Sequence, residues 1–457
     1  MSDQHTDYVQ RDIASQLHPY TNLFHHQETG PKIYTRGEGI YVFDDQERRY
    51  IEGMAGLWCT ALGFSEEELV QAATEQLRKL PYYPSFRHKA TLPGIDLADK
   101  LKAVAPVPMS KVFFANSGSE ANDTAVKIVW HYNNALERPQ KKKIISRVQA
   151  YHGVTIASAS LTGIPRNHLD FDLPIDRFLH TDYPHHYRFA QDGESPEDFA
   201  TRLAGNLEKL ILQEGPETIA AFIAEPVMGG GGVIVPPPTY YEKIQAVLRK
   251  YDVLFIADEV ICGFGRTGNL WGSQTYDLRP DIITCAKGLS SAYLPIAAVM
   301  VNDAVFEGLV TESRKLGQFG HGFTYSGHPV CAAVALRTLE IFEERDIVGH
   351  VQRMAPRFNA AIARYADHPL VGNVRSVGLM GAVELIADKA TRRQFDPEQK
   401  VGQYFMDRAE EHGLIMRAIG ETLALSPPLI ITEPQIDEMF AAFDKAMVDT
   451  EAWLKKG

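Results

Sequence analysis

The sequence predicts an α/β fold, in which a large domain holds a mostly parallel sheet wrapped by helices and a smaller α+β domain accompanies it. Six short apolar runs, each typical of a buried strand, alternate with helical or loop segments. They lie in the segments KVFFANSGS, KKKIISRVQAYHG, AAFIAEPV, VLFIADEV, DIITCAKG and IAAVMVND. After Pro329 the pattern changes to amphipathic helices among short strands. The alternation of strands and helices before Pro329, and the different pattern after it, predict two packed domains.

The chain length also favours more than one domain. Its 457 residues exceed what one hydrophobic core usually organises. The N-terminal stretch GIYVFDDQERRYIEGMAG reads as strand, turn and strand, and CAAVALRTLEIFEER opens the C-terminal region as a helix. We therefore expect residues 61–329 to form the large domain, and residues 1–60 and 330–457 to form the two parts of the small domain.

Composition and charge exclude several classes of partner. The chain is 45% hydrophobic and 23% charged, close to the average of soluble globular proteins. A net charge of -12 and a pI near 5.8 give no attraction to nucleic acid or to anionic membranes. The N-terminus MSDQHTDYVQRD lacks an apolar h-region, and no run approaches the length of a membrane span. We expect neither nucleic acid nor a membrane as partner.

The cysteines and histidines predict a reduced protein without a metal. The histidine pairs 25–26 and 185–186 lack the spacing and the acidic neighbours of a metal site. The cysteines are widely spaced, which fits reduced core residues of a cytoplasmic protein better than a disulfide framework. They are Cys59, Cys262, Cys285 and Cys331.

Two apolar runs end on residues that carry chemistry. Residues 254–257 of LFIADEV predict a central strand with Asp258 at its carboxyl end, and the run 282–286 ends in the same way on Lys287. Ligands of open α/β sheets bind at that edge. A lysine amine can condense with the aldehyde of pyridoxal phosphate (PLP), and a buried carboxylate can keep the pyridine nitrogen protonated. Taken singly, these residues would be a helix cap and a solvated lysine; together they predict PLP chemistry on amines.

A candidate phosphate site follows another predicted strand. Ser117, Gly118 and Ser119 lie between the strand KVFFA and a helical pattern that starts at Glu120. Backbone N–H groups and serine hydroxyls therefore meet at a helix N-terminus, which favours an anion. The glycine run 229–232 is a weaker signal, because such runs more often mark tightly turning loops.

Seven motifs relate the chain to a known family. They are GMAGLWC, NSGSEANDTAVK, YHGVT, AEPVMGGGGV, ADEVICGFGRTG, AKGLSSAYLPIAAV and HGFTYSGHP, and they span nearly the whole sequence. With them the chain resembles the class III PLP-dependent aminotransferases of the amine:pyruvate or omega-transaminase kind. The resemblance implies the PLP fold type I of aspartate aminotransferase. It also implies a homodimer, or a dimer of dimers, with active sites at the subunit interface.

The resemblance also implies roles for individual residues. Lys287 becomes the Schiff-base lysine and Asp258 the partner of the pyridine nitrogen. The other cofactor contacts it implies are Gly118 and Ser119 at the phosphate beside Ser117, Tyr151 and His152 along the ring, Val260 on the opposite ring face, Glu225 near the cofactor oxygen, and Thr324 at the phosphate of the neighbouring subunit. Without the motifs, most of these would read as ordinary core or loop residues.

The same resemblance implies two substrate pockets. Arg417 matches a mobile arginine that pairs with the carboxylate of a keto acid and moves away for an uncharged amine; its planar fork suits a carboxylate. The aromatic walls that we expect are Trp58, Phe86, Tyr151 and Phe323, of which Phe86 and Phe323 would come from the partner subunit. Aromatic walls favour apolar or long amines.

We therefore expect a ping-pong aminotransferase that moves an amino group from a terminal or secondary amine to a keto acid, with pyruvate as the expected acceptor. Diamines, omega-amino acids and arylalkyl amines are the candidate donors. An aminomutase or decarboxylase of the same fold is one alternative, and a non-catalytic PLP-binding regulator is another. The first 30 residues are too short and too acidic for a fused DNA-binding segment. The sequence leaves open the physiological donor, pyruvate against 2-oxoglutarate, enantiopreference, and dimer against tetramer.

Overall fold

The computed structural model describes residues 3–456. Its strands form three sheets, ordered β1-β2-β3-β13, β4-β10-β9-β8-β7-β5-β6 and β11-β12-β15-β14. The strands are β1 Tyr34–Glu38, β2 Tyr41–Asp44, β3 Arg49–Glu52, β4 Lys111–Ala115, β5 Lys143–Arg147, β6 Phe178–Thr181, β7 Ile219–Ala224, β8 Leu254–Asp258, β9 Ile282–Cys285, β10 Ala297–Val301, β11 Val371–Val377, β12 Met380–Leu385, β13 Leu414–Ile415, β14 Arg417–Ile419 and β15 Thr422–Leu425.

Helices connect the strands and cover the sheets. They are α1 Asp3–Ser15, α2 Leu23–Thr29, the irregular turn α3 Ala55–Trp58, α4 Glu67–Lys79, α5 Leu92–Val104, α6 Gly118–Ala135, α7 Ile156–Leu161, α8 His186–Phe189, α9 Pro196–Glu214, α10 Tyr240–Lys250, α11 Gly272–Thr275, α12 Asp303–Leu316, α13 Pro329–Glu344, α14 Ile347–Ala363, α15 Val401–Glu411 and α16 Glu433–Leu454. The short 3-10 helices are Pro165–Asn167, Pro216–Thr218, Lys287–Ser290 and Pro397–Gln399. None of the helices within residues 3–456 has the length and apolar character needed to cross a membrane.

The seven-stranded sheet is mostly parallel, as predicted. The pairs β5–β6, β5–β7, β7–β8 and β8–β9 are parallel, and β10 runs antiparallel to both β9 and β4. Since β10 alone is reversed, the carboxyl ends of β4, β7, β8 and β9 meet at one edge. That edge is where the polar strand-end residues of the sequence converge.

Both faces of this sheet are buried, which explains its uninterrupted apolar runs. On β7, Ala221 and Ile223 pack in the core cluster that contains α6 residues, whereas Phe222 and Ala224 pack in the cluster of α9 and α10. Successive strand residues point to opposite faces, so every position is apolar when both faces are covered. The α/β fold predicted from these runs is confirmed.

One of the two small sheets contains strands from both ends of the chain. The predicted N-terminal hairpin is present as β2 and β3. Strand β3 also pairs in parallel with β13, where Ile51 lies opposite Leu414. The N-terminal strands therefore share a sheet with the C-terminal region.

Glu384 on β12 is the centre of a buried charge network. Its carboxylate accepts a hydrogen bond from His185 Nε2 at 3.0 Å and pairs with Arg375 Nη1 at 2.5 Å and with Arg188. Burial alone would raise the pKa of Glu384. The hydrogen bond from His185 and the charge of Arg375 outweigh burial and lower this pKa to about 2.

Acid should therefore remove stability that Glu384 provides at neutral pH. Because its pKa is lower in the folded chain than in the unfolded chain, this contribution is complete above about pH 4.5 and declines as pH falls towards 2. We expect Glu384→Gln to lower the free energy of unfolding at pH 7 by about 3 kcal/mol. Urea unfolding at pH 7 and pH 3 measures this difference, which should shrink at the lower pH. Glu344→Gln, at an exposed ion pair with Arg337, serves as control and should change little. An equal loss at both pH values would contradict the assignment.

Candidate active site

A cavity of about 130 Å³ lies at the carboxyl edge of the large sheet. Strands β7, β8 and β9 and helix α6 supply most of its wall because all four present their polar ends there. The lining residues are Gly118, Ser119, Asn122, Tyr151, His152, Gly153, Glu225, Asp258, Val260, Ile261 and Lys287.

Lys287 brings an unpaired amine into this cavity. It follows β9 and has φ +48°, a left-handed conformation that costs a residue with a side chain about 1–3 kcal/mol. Its Nζ donates no hydrogen bond to any residue in the range 3–456. Burial lowers the pKa of Lys287, although Cys59, Asp258 and Glu225 act in the opposite direction. The amine is thus shifted towards its neutral, nucleophilic form.

Asp258 is a buried carboxylate held by three donors. Its Oδ2 accepts hydrogen bonds from His152 Nδ1 at 2.7 Å and from Asn122 Nδ2 at 2.9 Å, and its Oδ1 accepts from the backbone N–H of Val260 at 3.1 Å. The side chain is 3% exposed. Three fixed donors set the orientation of the carboxylate, so its remaining lone pairs can meet only a group inside the cavity.

Two neighbours of Asp258 keep buried polar atoms without partners. His152 Nε2 and Asn122 Oδ1 have no hydrogen-bond partner among the described residues. The other groups of both residues are used: Asn122 Nδ2 also donates to the carbonyl of His152 at 2.6 Å, and the N–H of His152 donates to Thr162 Oγ1 at 2.9 Å. Buried polar atoms are rarely left unpaired. These two indicate that the cavity is built for a polar ligand.

The N-terminus of α6 forms an anion cradle at one end of the cavity. Ser117 is the N-cap, and its Oγ accepts from the N–H of Glu120 at 3.2 Å. The helix begins at Gly118, earlier than the predicted start at Glu120, because the cap precedes both. A Cβ on Gly118 would lie 3.1 Å from Val260, and one on Gly153 would lie 2.5 Å from Ser119 Oγ. These glycines therefore keep the cradle open to a phosphate.

Glu225 connects the cavity wall to the glycine loop 229–232. Its Oε1 accepts from the N–H of Tyr151 at 3.1 Å, and its Oε2 accepts from the N–H of Gly229 at 3.0 Å. Burial raises the pKa of Glu225, while His152 lowers it. A Cβ on Gly230 would lie only 2.8 Å from that of Tyr151, so the loop packs closely against the ring. The loop supports the wall rather than forming a second phosphate cradle.

This arrangement fits PLP. The Aminotransferase class-III family profile matches residues 24–447, which is most of the chain. The chain belongs to the class III aminotransferases. Like the rest of this PLP-dependent family, it transfers an amino group between an amine donor and a keto acid.

Individual relatives refine this placement among the class III aminotransferases. Gamma aminobutyrate transaminase 3, chloroplastic, of Solanum lycopersicum is 52% identical over 436 residues, which cover 95% of this chain and 84% of that protein. The omega transaminase from Pseudomonas jessenii in complex with PMP has a TM-score of 0.97 at 57% identity, covering 98% of this chain and 99% of that one. An engineered variant of the thermostable omega transaminase PjTA-R6 has a TM-score of 0.96 at 56% identity, with coverage of 98% and 99%. The chain is an aminotransferase of the omega or GABA type.

Most of the predicted cofactor residues of this class III aminotransferase lie together. Ser117 caps the helix beside the cavity without lining it. Those that line the cavity are Gly118, Ser119, Tyr151, His152, Glu225, Asp258, Val260 and Lys287.

The remaining predicted residues lie outside the cavity wall. Trp58 is buried in a core cluster that includes Ile261. Phe86 is exposed. Its ring lies next to Gly322, since a Cβ added to that glycine would be 2.9 Å from the ring. In the same region Thr324 is exposed, and its carbonyl accepts a hydrogen bond from Tyr82. Phe323 packs against Phe113 with ring centroids 6.3 Å apart. Arg417 is exposed on β14, close enough for its charge to lower the pKa of Lys287 and Tyr151.

Three residues that the sequence did not predict also line the cavity, namely Asn122, Gly153 and Ile261. Asn122 was predicted only as part of a helix, although it follows Gly118 by one helical turn and so shares its face. Gly153 directly follows His152, and Ile261 directly follows Val260. Helical spacing from the predicted phosphate turn could have identified Asn122; the other two carried no separate signal.

Proposed function

We propose that this aminotransferase moves the amino group of a terminal or secondary amine, or of an omega-amino acid, to pyruvate. The observation that carries the proposal is the cavity in which an unpaired Lys287 amine and the fixed carboxylate of Asp258 meet. When bound, PLP supplies a cationic conjugated ring that withdraws electrons from the substrate carbon. The relatives named as GABA and omega transaminases support donors whose amino group is remote from a carboxylate.

The cavity residues would have different chemical roles. Lys287 would bond the aldehyde carbon of the cofactor, and its Nζ, when free and neutral, would remove the proton from the substrate carbon that bears nitrogen. Asp258 would accept a hydrogen bond from the ring N–H and keep that nitrogen positively charged. His152 and Asn122 hold Asp258 in place through the hydrogen bonds to its Oδ2.

The other contacts would anchor and orient the ring. The N–H groups at the start of α6 favour the phosphate. Ser117, Gly118 and Ser119 would hold this phosphate, Val260 and Tyr151 with His152 would flank the ring, Glu225 would lie near the ring oxygen, and Thr324 would reach the phosphate bound by a second copy of the chain.

Arg417 would recognise the carboxylate of the acceptor. It lies at the start of β14, and its exposed guanidinium donates no hydrogen bond to another residue within 3–456, so it is free to bind a ligand. A charge-assisted, bidentate hydrogen-bond pair with a carboxylate is selective for the keto acid. An uncharged amine without a carboxylate cannot form this pair with Arg417.

We expect Arg417→Ala to raise the KM for pyruvate about 10- to 100-fold, because one charge-assisted pair is lost. The half-reaction with an uncharged amine should change less than about 3-fold, since no carboxylate is present. Single-turnover kinetics of the two halves, measured separately, test this split. Arg279→Ala, at an exposed pair with Asp277, is the matched control. Equal losses in both half-reactions would contradict the carboxylate role.

The predicted aromatic walls would set the size of the amine pocket. Trp58 packs beside Ile261, which itself lines the cavity. In the engineered PjTA-R6 variant one tryptophan, one phenylalanine and one arginine are replaced, and that enzyme serves the synthesis of enantiopure bulky amines. The same residue types stand here as Trp58, Phe86 and Arg417, which supports their placement around the substrate.

We further propose a homodimer with shared active sites. Phe86 is 46% and Tyr325 59% exposed, and the ring of Tyr325 lies 5.8 Å from that of Tyr82, whose hydroxyl donates to the carbonyl of Thr324. A second copy of the chain would cover them and receive Thr324, Phe86 and Phe323. All four cysteines are free, which fits the proposed cytoplasmic location.

We propose the domain division predicted from the sequence. Residues 61–329 would form the large domain, which contains all strands of the seven-stranded sheet. Residues 1–60 and 330–457 would form the small domain. The parallel pairing of β3 with β13 supports joining these two parts.

The test is a titration of the purified yellow holoenzyme with putrescine, 4-aminobutyrate, taurine and 1-phenylethylamine in turn. Bleaching of the visible band by one donor, and its return with alanine formation on adding pyruvate, is the expected result. Return of the visible band with 2-oxoglutarate but not with pyruvate would show that pyruvate is not the acceptor. Conversion of the amine to an isomer or to carbon dioxide, without a keto acid, would indicate an aminomutase or decarboxylase. No bleaching by any amine would reopen the non-catalytic alternative.

A further inference from the structure

A second cavity, of about 360 Å³, lies beside the glycine loop 229–232. Its wall combines residues from the segment 149–234 with residues from the segment 375–422, and none of these described residues also lines the PLP cavity. The volume is in the range of sites that bind small organic molecules. Because Arg166, Arg188 and Arg375 stand in the wall, we call this space the arginine cavity.

The wall of the arginine cavity carries more positive than negative charge. Besides the three arginines it contains two carboxylates, those of Glu384 and Glu421. Glu421 is half-buried, and burial raises its pKa, which favours the neutral acid. His185 also lines the cavity, but burial lowers its pKa and so favours the neutral imidazole. At least one positive charge of the wall is therefore left without a carboxylate.

Two of the three arginines are buried and share a single carboxylate. The side chains of Arg188 and Arg375 are 13% and 9% exposed, and both pair with Glu384. The other acceptors of Arg375 are neutral, and they include the carbonyl of Gly232 at 2.6 Å and Asn373 Oδ1 at 2.9 Å. Neutral acceptors satisfy N–H groups without cancelling the charge, and a buried charge without a counter-ion is unfavourable. An anion in the cavity would remove this cost.

Two guanidinium groups of the wall also keep free N–H donors. Arg166 is exposed, and its side chain forms neither a hydrogen bond nor an ion pair with another residue within 3–456. Nη2 of Arg375 carries two hydrogens, and the carbonyl of Gly232 is its one acceptor within the same range. Guanidinium groups bind carboxylate and phosphate oxygens through such donors. The free donors thus lie where the wall has its excess of positive charge.

Apolar side chains complete the wall of the arginine cavity, namely Phe189, Ile234, Phe395 and Ile419. An inorganic ion would leave these side chains against water, whereas an organic anion would bury apolar surface against them. The wall therefore fits an anion that carries an apolar group.

We propose that the arginine cavity binds a small organic anion, whose carboxylate or phosphate group pairs with Arg166 and Arg375 and whose apolar part packs against the apolar side chains of the wall. This site goes beyond the proposed aminotransferase function and does not depend on it. Arg417, which we propose for the keto acid, does not line this cavity. Because the wall is assembled only in the folded chain, the ligand would stabilise the fold.

The experiment is a calorimetric titration of the holoenzyme with 3-phenylpropionate and with phenyl phosphate. We expect at least one of these probes to bind and to raise the thermal midpoint. The probe that binds more tightly identifies the anionic group as carboxylate or phosphate. The uncharged 3-phenylpropan-1-ol should bind at least about 10-fold more weakly, because it cannot form charge-assisted hydrogen bonds. Inorganic phosphate, which has no apolar part, should also bind more weakly than phenyl phosphate.

A matched pair of variants at Gly420 tests the charge of the site. Gly420 lines the cavity at φ +57°, and a Cβ added there meets no atom within 4 Å. Asparagine and aspartate both tolerate this left-handed conformation and have the same shape. Gly420→Asp adds a negative charge and should weaken binding of the anionic probe at least about 10-fold, whereas Gly420→Asn should weaken it less than about 3-fold. Equal effects of the two variants would contradict an anion site.

Two arginine variants locate the bound probe. Arg166→Ala should weaken binding at least about 10-fold, because a charge-assisted pair at this exposed position is lost. Arg417→Ala should leave the affinity within about 2-fold of the parent, since Arg417 lies outside the arginine cavity. Loss of binding in Arg417→Ala but not in Arg166→Ala would place the probe in the PLP site and overturn the proposal. Absence of binding by both anionic probes to the parent would overturn it as well.

Discussion

Lys287→Ala is expected to lower the steady-state turnover by at least about 10⁴-fold and to leave a folded protein. The substitution removes both the group that bonds the cofactor and the base that moves the substrate proton, and each contributes at least about 10²-fold. Turnover with amine and pyruvate, together with the visible absorption of the holoenzyme, measures the loss. The absorption band of the bound cofactor should shift because its bond to the protein is absent.

The fold should survive this change because burial of the Lys287 amine is itself unfavourable. Burial lowers the pKa of the amine, and Nζ forms no hydrogen bond with another residue within 3–456 that its loss would leave unpaired. The thermal midpoint should therefore stay within a few degrees of the parent. Lys141→Ala is a control, since that lysine is 5% exposed and does not line the cavity. Multiple turnovers by Lys287→Ala would disprove its role.

The large sheet was predictable because its sequence signal is local. Strands covered on both faces become uninterrupted apolar runs, so β7, β8, β9 and β10 appear in the sequence directly. Strand β6 has no such signal: its residues FLHT are half polar and only partly buried, and it lies at the edge of the sheet. Helix α1, which is exposed and mostly polar, was not predicted either.

The cavity was predictable where a side chain ends a strand. Asp258, Glu225 and Lys287 follow apolar runs, and parallel strands bring such ends together. Asn122 reaches Asp258 from a helix, so only the tertiary packing of α6 reveals the contact. The hydrogen bond between His26 and Asp12 has no signal in the sequence, because the carboxylate is not next to the histidine pair 25–26 along the chain and two helices bring the residues together.

Thr324, Phe86 and Phe323 illustrate a different limit. Their predicted roles require a second copy of the chain, and a single chain leaves Thr324 and Phe86 exposed. Sequence motifs can indicate that these residues matter. The exposure of Phe86 and Tyr325 in the folded chain supports the proposal that a second copy covers them.

Asp258→Asn is the second substitution with a large expected effect, a decrease in kcat of about 10³-fold. Asparagine has the same shape, and its one carbonyl oxygen can still accept the hydrogen bonds from His152 and Asn122, although its amide nitrogen cannot accept the one from Val260. What it lacks is the negative charge that keeps the ring nitrogen protonated, and loss of one partner of a buried charge pair costs about 3–5 kcal/mol. Stopped-flow absorbance of the amine half-reaction measures this decrease.

The control for Asp258→Asn is Asp281→Asn. Asp281 is also a substantially buried carboxylate, whose oxygens accept from the N–H of Phe255 and from Asn302, but it does not line the cavity. A loss of stability without a change in rate is expected there, because its partners are structural. If Asp258→Asn slowed the amine half-reaction less than about 10-fold, the charge on this carboxylate would not be needed for the reaction. Its hydrogen bonds with His152 and Asn122 would then serve only to shape the cavity.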